Sequence, residues 1–182
     1  MLCAADHVGD EPFVVCLADM VLDGGTELLT HMLAVHARYG GSVIALYEVP
    51  QDQIEKYGCA AVVPTDEVDV VRVTDLVEKP PRGEAPSNLA LVGRYLLDPA
   101  VFDLLRTTSP GRGGEIQLTD AILGLVTSGS PVHAVVFRGR VLDTGDKLEY
   151  LKAVVRLGTR HPELGRDLAD WLAVFVAGDD GV

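Results

Sequence analysis

Apolar residues fall along this chain in two rhythms. Phe13 to Leu17 (FVVCL) is a short continuous apolar run after Pro12, the pattern of a strand buried on both faces. It ends at Ala18-Asp19, and Gly24-Gly25 then break the chain. Thr26 is the N-cap candidate for a helix in which Leu28, Met32, Val35 and Tyr39 share one face and Gly40 marks the end. Ser42 to Val49 (SVIALYEV) is the next strand. A short helical turn, QDQIEKYG, ends at Tyr57-Gly58, and Ala60–Pro64 and Val68–Val77 read as strands joined by Thr65-Asp66-Glu67.

Pro80 and Pro81 stop the last of these strands because neither has a backbone donor. PPRGEAPSN is therefore a loop, and a strand restarts at Asn88 or Leu89 and runs to Leu97. A helix is expected from Pro99 to Leu105, and another from Glu115, with Ile116, Thr119 or Asp120, Leu123 and Val126 at helical spacing. Val132–Phe137 and Val141–Asp143 read as a hairpin turning at Arg138-Gly139-Arg140. Lys147–Arg160 should be a helix with Leu148, Leu151, Val155 and Gly158 on one side, and Pro162 ends it. Glu163–Val176, carrying Trp171, is a last amphipathic helix that packs on its own core or on a neighbouring subunit, which leaves a homo-oligomer open. The alternation implies an α/β class: a mainly parallel, mixed sheet between two helical layers. Phe13–Leu17, Ser42–Val49 and Ala90–Leu97 are expected as its central strands. Residues 1–182 are read as a single, partial domain whose C-terminal helices span about 147–176.

Composition narrows the function classes. At 182 residues, 48% hydrophobic and 23% charged, the sequence is that of an ordinary globule rather than a disordered segment. Its formal charge of −12 argues against a nucleic-acid partner but leaves room for a small phosphorylated ligand, which needs only one or two local cations or a metal. No apolar run has membrane-spanning length, and the start has no secretory pattern. The three cysteines, Cys3, Cys16 and Cys59, lack metal-ligand spacing and suit reduced thiols in a cytoplasm, with Cys16 as core filler.

The chemistry concentrates at Glu78-Lys79. A carboxylate there accepts hydroxyl protons in charge-assisted bonds of roughly 1.5–3 kcal/mol, and the ammonium meets a phosphate oxygen as a point charge. By itself the pair reads first as a solvated surface pair, and Gly58 by itself as a turn glycine. The longer phrase is more specific. Glu78-Lys79-Pro80 is followed by Ala85-Pro86-Ser87-Asn88-Leu89-Ala90-Leu91-Val92-Gly93-Arg94-Tyr95, then by Gly113-Gly114-Glu115-Ile116-Gln117-Leu118-Thr119-Asp120 and Asp143-Thr144-Gly145-Asp146-Lys147. From about Asp10 to about Leu172 the chain resembles the sugar nucleotidyltransferases, specifically bacterial UTP–glucose-1-phosphate uridylyltransferases.

That resemblance implies a Rossmann-like fold and the magnesium-assisted, in-line transfer of UMP from UTP to glucose 1-phosphate. UTP, glucose 1-phosphate and UDP-glucose would be the small-molecule partners, with neither nucleic acid nor membrane involved. It assigns Gly58, Glu78, Lys79, Asn88, Gly93, Tyr95 and Glu115 to substrate, Lys79 also to catalysis through the sugar's phosphate, and Asp19 and Asp143 to Mg2+. The two aspartates should therefore lie close together. A second acid often follows the first in this family; here Met20 stands there, with Asp23 further on. A G-x-G-T-R loop, which in the family holds the triphosphate, is not found in these residues. The chain is thus expected to be the carboxyl-terminal portion, truncated at the N-terminus and incomplete as an enzyme alone. A non-catalytic sugar-phosphate-binding or subunit-interaction module, and a metal-dependent glycosyltransferase, remain alternatives.

Overall fold

Aliphatic and β-branched runs give eight strands among the described residues of the computed structural model, which are 1–81, 83–111 and 114–178. Gly113 of the third motif and the end of the tail lie outside them. In chain order the strands are β1 (Phe13–Cys16), β2 (Met20–Asp23), β3 (Ser42–Glu48), β4 (Cys59–Pro64), β5 (Val70–Val77), β6 (Leu89–Leu97), β7 (Val132–Val136) and β8 (Arg140–Asp143). The helices are α1 (Ala5–Val8), α2 (Leu28–Tyr39), α3 (Val101–Thr107), α4 (Leu118–Thr127), α5 (Lys147–Gly158) and α6 (Gly165–Ala177). They fall into two compact units, residues 1–17 with 24–140, and residues 18–23 with 141–182.

The larger unit is built on a six-stranded sheet ordered β1-β6-β3-β7-β5-β4. β3 and β6, both long and mostly buried, are central as expected. Along β3, Ile44 and Leu46 join Phe102, Leu105, Ile122 and Leu125 of α3 and α4 in one core cluster. Their neighbours Val43 and Ala45 must point the other way, because side chains alternate along a strand. On that second face Tyr39 of α2 stacks on His133, the register partner of Val43, with ring centroids 4.3 Å apart. α2 buries Leu28, Met32 and Val35, the periodic positions of the sequence, and Gly40 follows its end with φ of 69°. Helices thus cover both faces of a mixed sheet.

Several expectations are corrected. Among the described residues of the six-stranded sheet only β3–β7 is a parallel pair; its other ladders are antiparallel, so the sheet is mixed but not mainly parallel. The short 65–69 connection can join β4 and β5 only as an antiparallel hairpin, since a parallel pair needs a long crossover. β1 is an edge strand pairing with β6 alone, which leaves Val14 40% exposed and Cys16 exposed rather than in the core. Glu27, not Thr26, is the residue preceding α2. The hairpin expected across Arg138–Arg140 does not form: β8 leaves the large sheet and pairs with β2.

The smaller unit holds the β2–β8 ribbon, α5 and α6. Asp146 caps α5, its carboxylate accepting from the amides of Leu148 and Glu149 at 2.9 and 3.1 Å. Ala153 is the buried position of α5, whereas Leu148 and Leu151 are each 60% exposed, so the apolar face expected there is not buried. Trp171 and Phe175 stack on α6 with centroids 5.2 Å apart. Among the described residues no helix is long and apolar enough to cross a membrane.

Candidate functional site

β5 ends at Val77, and the next two residues carry the charges. The Glu78 side chain is only 15% exposed, and its Oε2 accepts a hydrogen bond of 2.6 Å from the hydroxyl of Thr119. Its other oxygen, Oε1, lies 3.7 Å from Nζ of Lys79, an ion pair rather than a hydrogen bond. Lys79 has φ of 44°, a left-handed conformation rare for a long side chain, and its amide donates to the carbonyl of Tyr57 at 3.2 Å. Strain of this kind persists where surrounding structure over-determines it and clusters at binding sites.

Gly58 closes the other side of the carboxylate. A Cβ at this position would stand 2.8 Å from Glu78 Oε2 and 3.1 Å from Thr119 Oγ1. A side chain here would crowd the Glu78–Thr119 pair, while the Gly58 backbone lies outside the left-handed region and does not itself demand glycine. Its carbonyl accepts from the amide of Leu91 at 2.9 Å, and next to it Cys59 pairs with both Val77 and Ala90. These bonds bring the end of β4 against β5 and β6 together, which is how Gly58 and Glu78, distant in sequence, come to share one corner.

Tyr95 is buried on β6, and burial followed by the Glu78 carboxylate pushes its phenol well above the ordinary range. Gly93 takes φ of 70° where Ile44 faces Tyr95 but Leu46 faces Leu91, a bulge in β6. A Cβ on Gly93 would lie 2.9 Å from Leu17, so backbone geometry alone demands glycine there. Asn88 is exposed just before β6, its carbonyl accepting from Val49 at 3.0 Å. Beside it the Ser87 hydroxyl donates to Ala60 at 2.6 Å and accepts from the amide of Leu89 at 2.9 Å, fixing the loop's return. Glu115 is exposed ahead of α4, which begins at Leu118 rather than at Glu115. Thr119, in the first turn of that helix, is the residue from this motif that reaches Glu78. The sequence placed Thr119 within this motif and at a helical position but gave it no role in the site.

Asp19 and Asp143 meet within the smaller unit. Asp19 Oδ2 and Asp143 Oδ1 each lie 3.1 Å from the position a Cβ would take on Gly145. The amide and hydroxyl of Thr144 both donate to the Asp19 carbonyl at 2.8 Å, and Asp143 Oδ1 accepts from the Gly145 amide at 3.1 Å. The expected proximity is thus present. Among the described residues no group of three or more acidic, histidine or cysteine side chains is arranged to hold a metal. A carboxylate pair fits a magnesium-type ion, which takes one or two protein carboxylates and keeps waters or phosphate oxygens for the rest. An open groove of about 640 Å³ lies elsewhere in the larger unit, beside Leu28, His31, Asp69, Phe137 and Arg138. None of the expected site residues lines it.

The family model described as Nucleotidyl transferase matches residues 1–160. The chain is 40% identical to the UTP–glucose-1-phosphate uridylyltransferase of Staphylococcus epidermidis, over 91% of this chain and 57% of that protein. It is 43% identical to the enzyme of the same name from Pseudomonas aeruginosa, over 80% of this chain and 52% of that protein. Among solved structures it superposes on a UTP-bound UGPase from Acinetobacter baumannii with a TM-score of 0.82 and 36% identity, covering 94% of this chain and 59% of that one. The chain therefore spans a little over half the length of the relatives it matches. With a family match across most of its residues and a fold that superposes closely, this chain belongs to the nucleotidyl transferase family.

Proposed function

We propose that this chain supplies the sugar-phosphate and metal residues of a UTP–glucose-1-phosphate uridylyltransferase, which makes UDP-glucose and diphosphate. In that reaction a phosphate oxygen of glucose 1-phosphate bonds to the α-phosphorus of UTP while the bond from that phosphorus to the bridging oxygen breaks, releasing diphosphate. No covalent enzyme nucleophile is needed, so the work is positioning and charge neutralisation. Lys79 Nζ holds the phosphate of the sugar, and Glu78 accepts sugar hydroxyls. Gly58 offers backbone that side chains do not block, Asn88, Tyr95 and Glu115 complete the sugar contacts, and Gly93 shapes β6. Asp19 and Asp143 are the ligands for Mg2+, which when bound neutralises phosphate charge.

The observation that carries this reading is the Glu78 carboxylate, mostly buried, fixed by Thr119 and adjacent to the Lys79 ammonium. A mostly buried carboxylate beside a cation is poorly explained as a surface ion pair, which contributes little. It matches a ligand presenting hydroxyls and a phosphate. Saturation-transfer NMR with UDP-glucose tests it. The glucose protons should receive saturation, and Glu78→Gln should diminish it. Saturation confined to the uridine, or unchanged in the variant, would refute the assignment.

A further inference from the structure

Thr119 makes a bond that no ordinary helix residue of its kind needs. In the first turn of α4 a threonine hydroxyl usually returns to the carbonyl four residues back or faces water. Here the residue is 6% exposed, and the carbonyl of Glu115 is already taken by the amide of Gly111 at 2.8 Å. The hydroxyl instead crosses 41 positions of sequence to Glu78 Oε2 at 2.6 Å. A Cβ added at Gly58 would stand 2.8 Å from the same oxygen.

The two carboxylate oxygens of Glu78 therefore have different surroundings. Oε2 accepts from Thr119 on the side where Gly58 has no side chain, while Oε1 faces Lys79. We infer that Thr119 is a positioning residue for sugar recognition: its hydroxyl fixes the rotamer of Glu78 so that Oε1 is aimed at a ligand hydroxyl before the ligand arrives. This rests on the sugar-phosphate reading above. The physical gain is preorganisation, since a long side chain ordered in advance does not have to be ordered on binding. Discrimination follows as well, because a fixed acceptor rewards a hydroxyl in one place, whereas a swivelling carboxylate accepts several.

The test uses the whole 182-residue chain and compares Thr119→Val, which keeps the shape but loses the hydroxyl, with Thr119→Ser, which keeps the hydroxyl. Calorimetric titration with glucose 1-phosphate should show the Val variant roughly three- to tenfold weaker, the cost of one side chain ordered on binding, and the Ser variant near the parent. Inorganic phosphate, which addresses Lys79 alone, should bind all three equally. A merely structural role for Thr119 would move both ligands together. Equal sugar-phosphate affinity in the Val variant, or failure of Ser to restore it, overturns the inference. A crystal structure of the Val variant reads the same point without ligand: the Glu78 carboxylate should leave its place beside Gly58, and an unmoved carboxylate overturns the inference. If the parent chain binds no glucose 1-phosphate, the proposed function fails and this structural comparison alone decides the positioning role. Thr119→Ala gives both readings should the Val variant not fold.

Discussion

The amide of Lys79 is bonded to the carbonyl of Tyr57 at 3.2 Å, and Lys79 sits there with φ of 44°. A left-handed conformation costs a residue with a Cβ about 1–2 kcal/mol, which glycine avoids. The usual order of substitution should therefore invert at this position. In an ordinary strand or helix Ala is more stable than Gly by roughly 0.5–1 kcal/mol. At position 79, Lys79→Gly should be the more stable of the two by about 1 kcal/mol in urea unfolding. Ala more stable than Gly would show that the backbone here is not strained.

The aspartate pair predicts metal behaviour. Mn2+, which is paramagnetic and can occupy Mg2+ sites, should bind the chain and relax solvent water protons. Asp19→Asn and Asp143→Asn should each weaken that binding by at least about tenfold, or 1.4 kcal/mol, because each removes one carboxylate of the pair. Asp23→Asn should have little effect, since that carboxylate is engaged by Arg160. Equal binding in the parent and both pair variants would remove the metal assignment.

Thiol chemistry should separate the cysteines. Cys59 is buried, and its thiol is pushed up to about 11, mainly by burial, with the Asp75 and Glu78 carboxylates adding to the shift against a partial offset from the Ser87 backbone. Only the thiolate reacts. At pH 8 an aromatic disulfide reagent should titrate Cys3 and Cys16 in the folded chain and reach Cys59 only after unfolding. Rapid modification of all three without denaturant would contradict the packing at the β4 corner.

His133 gives a pH dependence with a definite sign. It is buried with Nδ1 unpaired, and its pKa is lowered first by burial and then by Arg72, partly offset by Glu67, while Tyr39 stacks on the ring. A folded-state pKa below the unfolded one means that the unfolded chain binds the proton first. The contribution is full above the unfolded value, about 6.5, and is lost as pH falls from there through the folded pKa. Unfolding midpoints measured from pH 7.5 to 5 should fall for the parent, and His133→Phe should flatten that slope. An unchanged slope would place the acid sensitivity elsewhere.

Much of this architecture was legible in the residues. The 3.6 period of Leu28, Met32 and Val35 gave a helix with the right buried face. Pro80 and Pro81 placed the Glu78-Lys79 corner at the end of a strand. Strand direction was not legible, because a run such as FVVCL records burial but not the partner it pairs with, and β1 proved an edge strand. The exit of β8 to β2 was hidden for the same reason: Arg138-Gly139 permits a hairpin as readily as a crossing between sheets. On α5, Leu148 and Leu151 have the spacing of a buried face, yet the buried residue is Ala153. Thr119 could be found only in three dimensions, because nothing local distinguishes it from a helix threonine with a solvated hydroxyl.

The central claim is that Glu78 and Lys79 together read a sugar phosphate, and calorimetric comparison of glucose 1-phosphate with inorganic phosphate tests it most directly. The parent chain should bind glucose 1-phosphate more tightly than phosphate. Lys79→Ala should weaken both by about tenfold or more, the worth of one charge-assisted bond. Glu78→Gln should weaken only the sugar phosphate, bringing it towards the affinity of phosphate alone. Glucose 1-phosphate binding no tighter than phosphate in the parent, or unaffected by either substitution, would contradict the account.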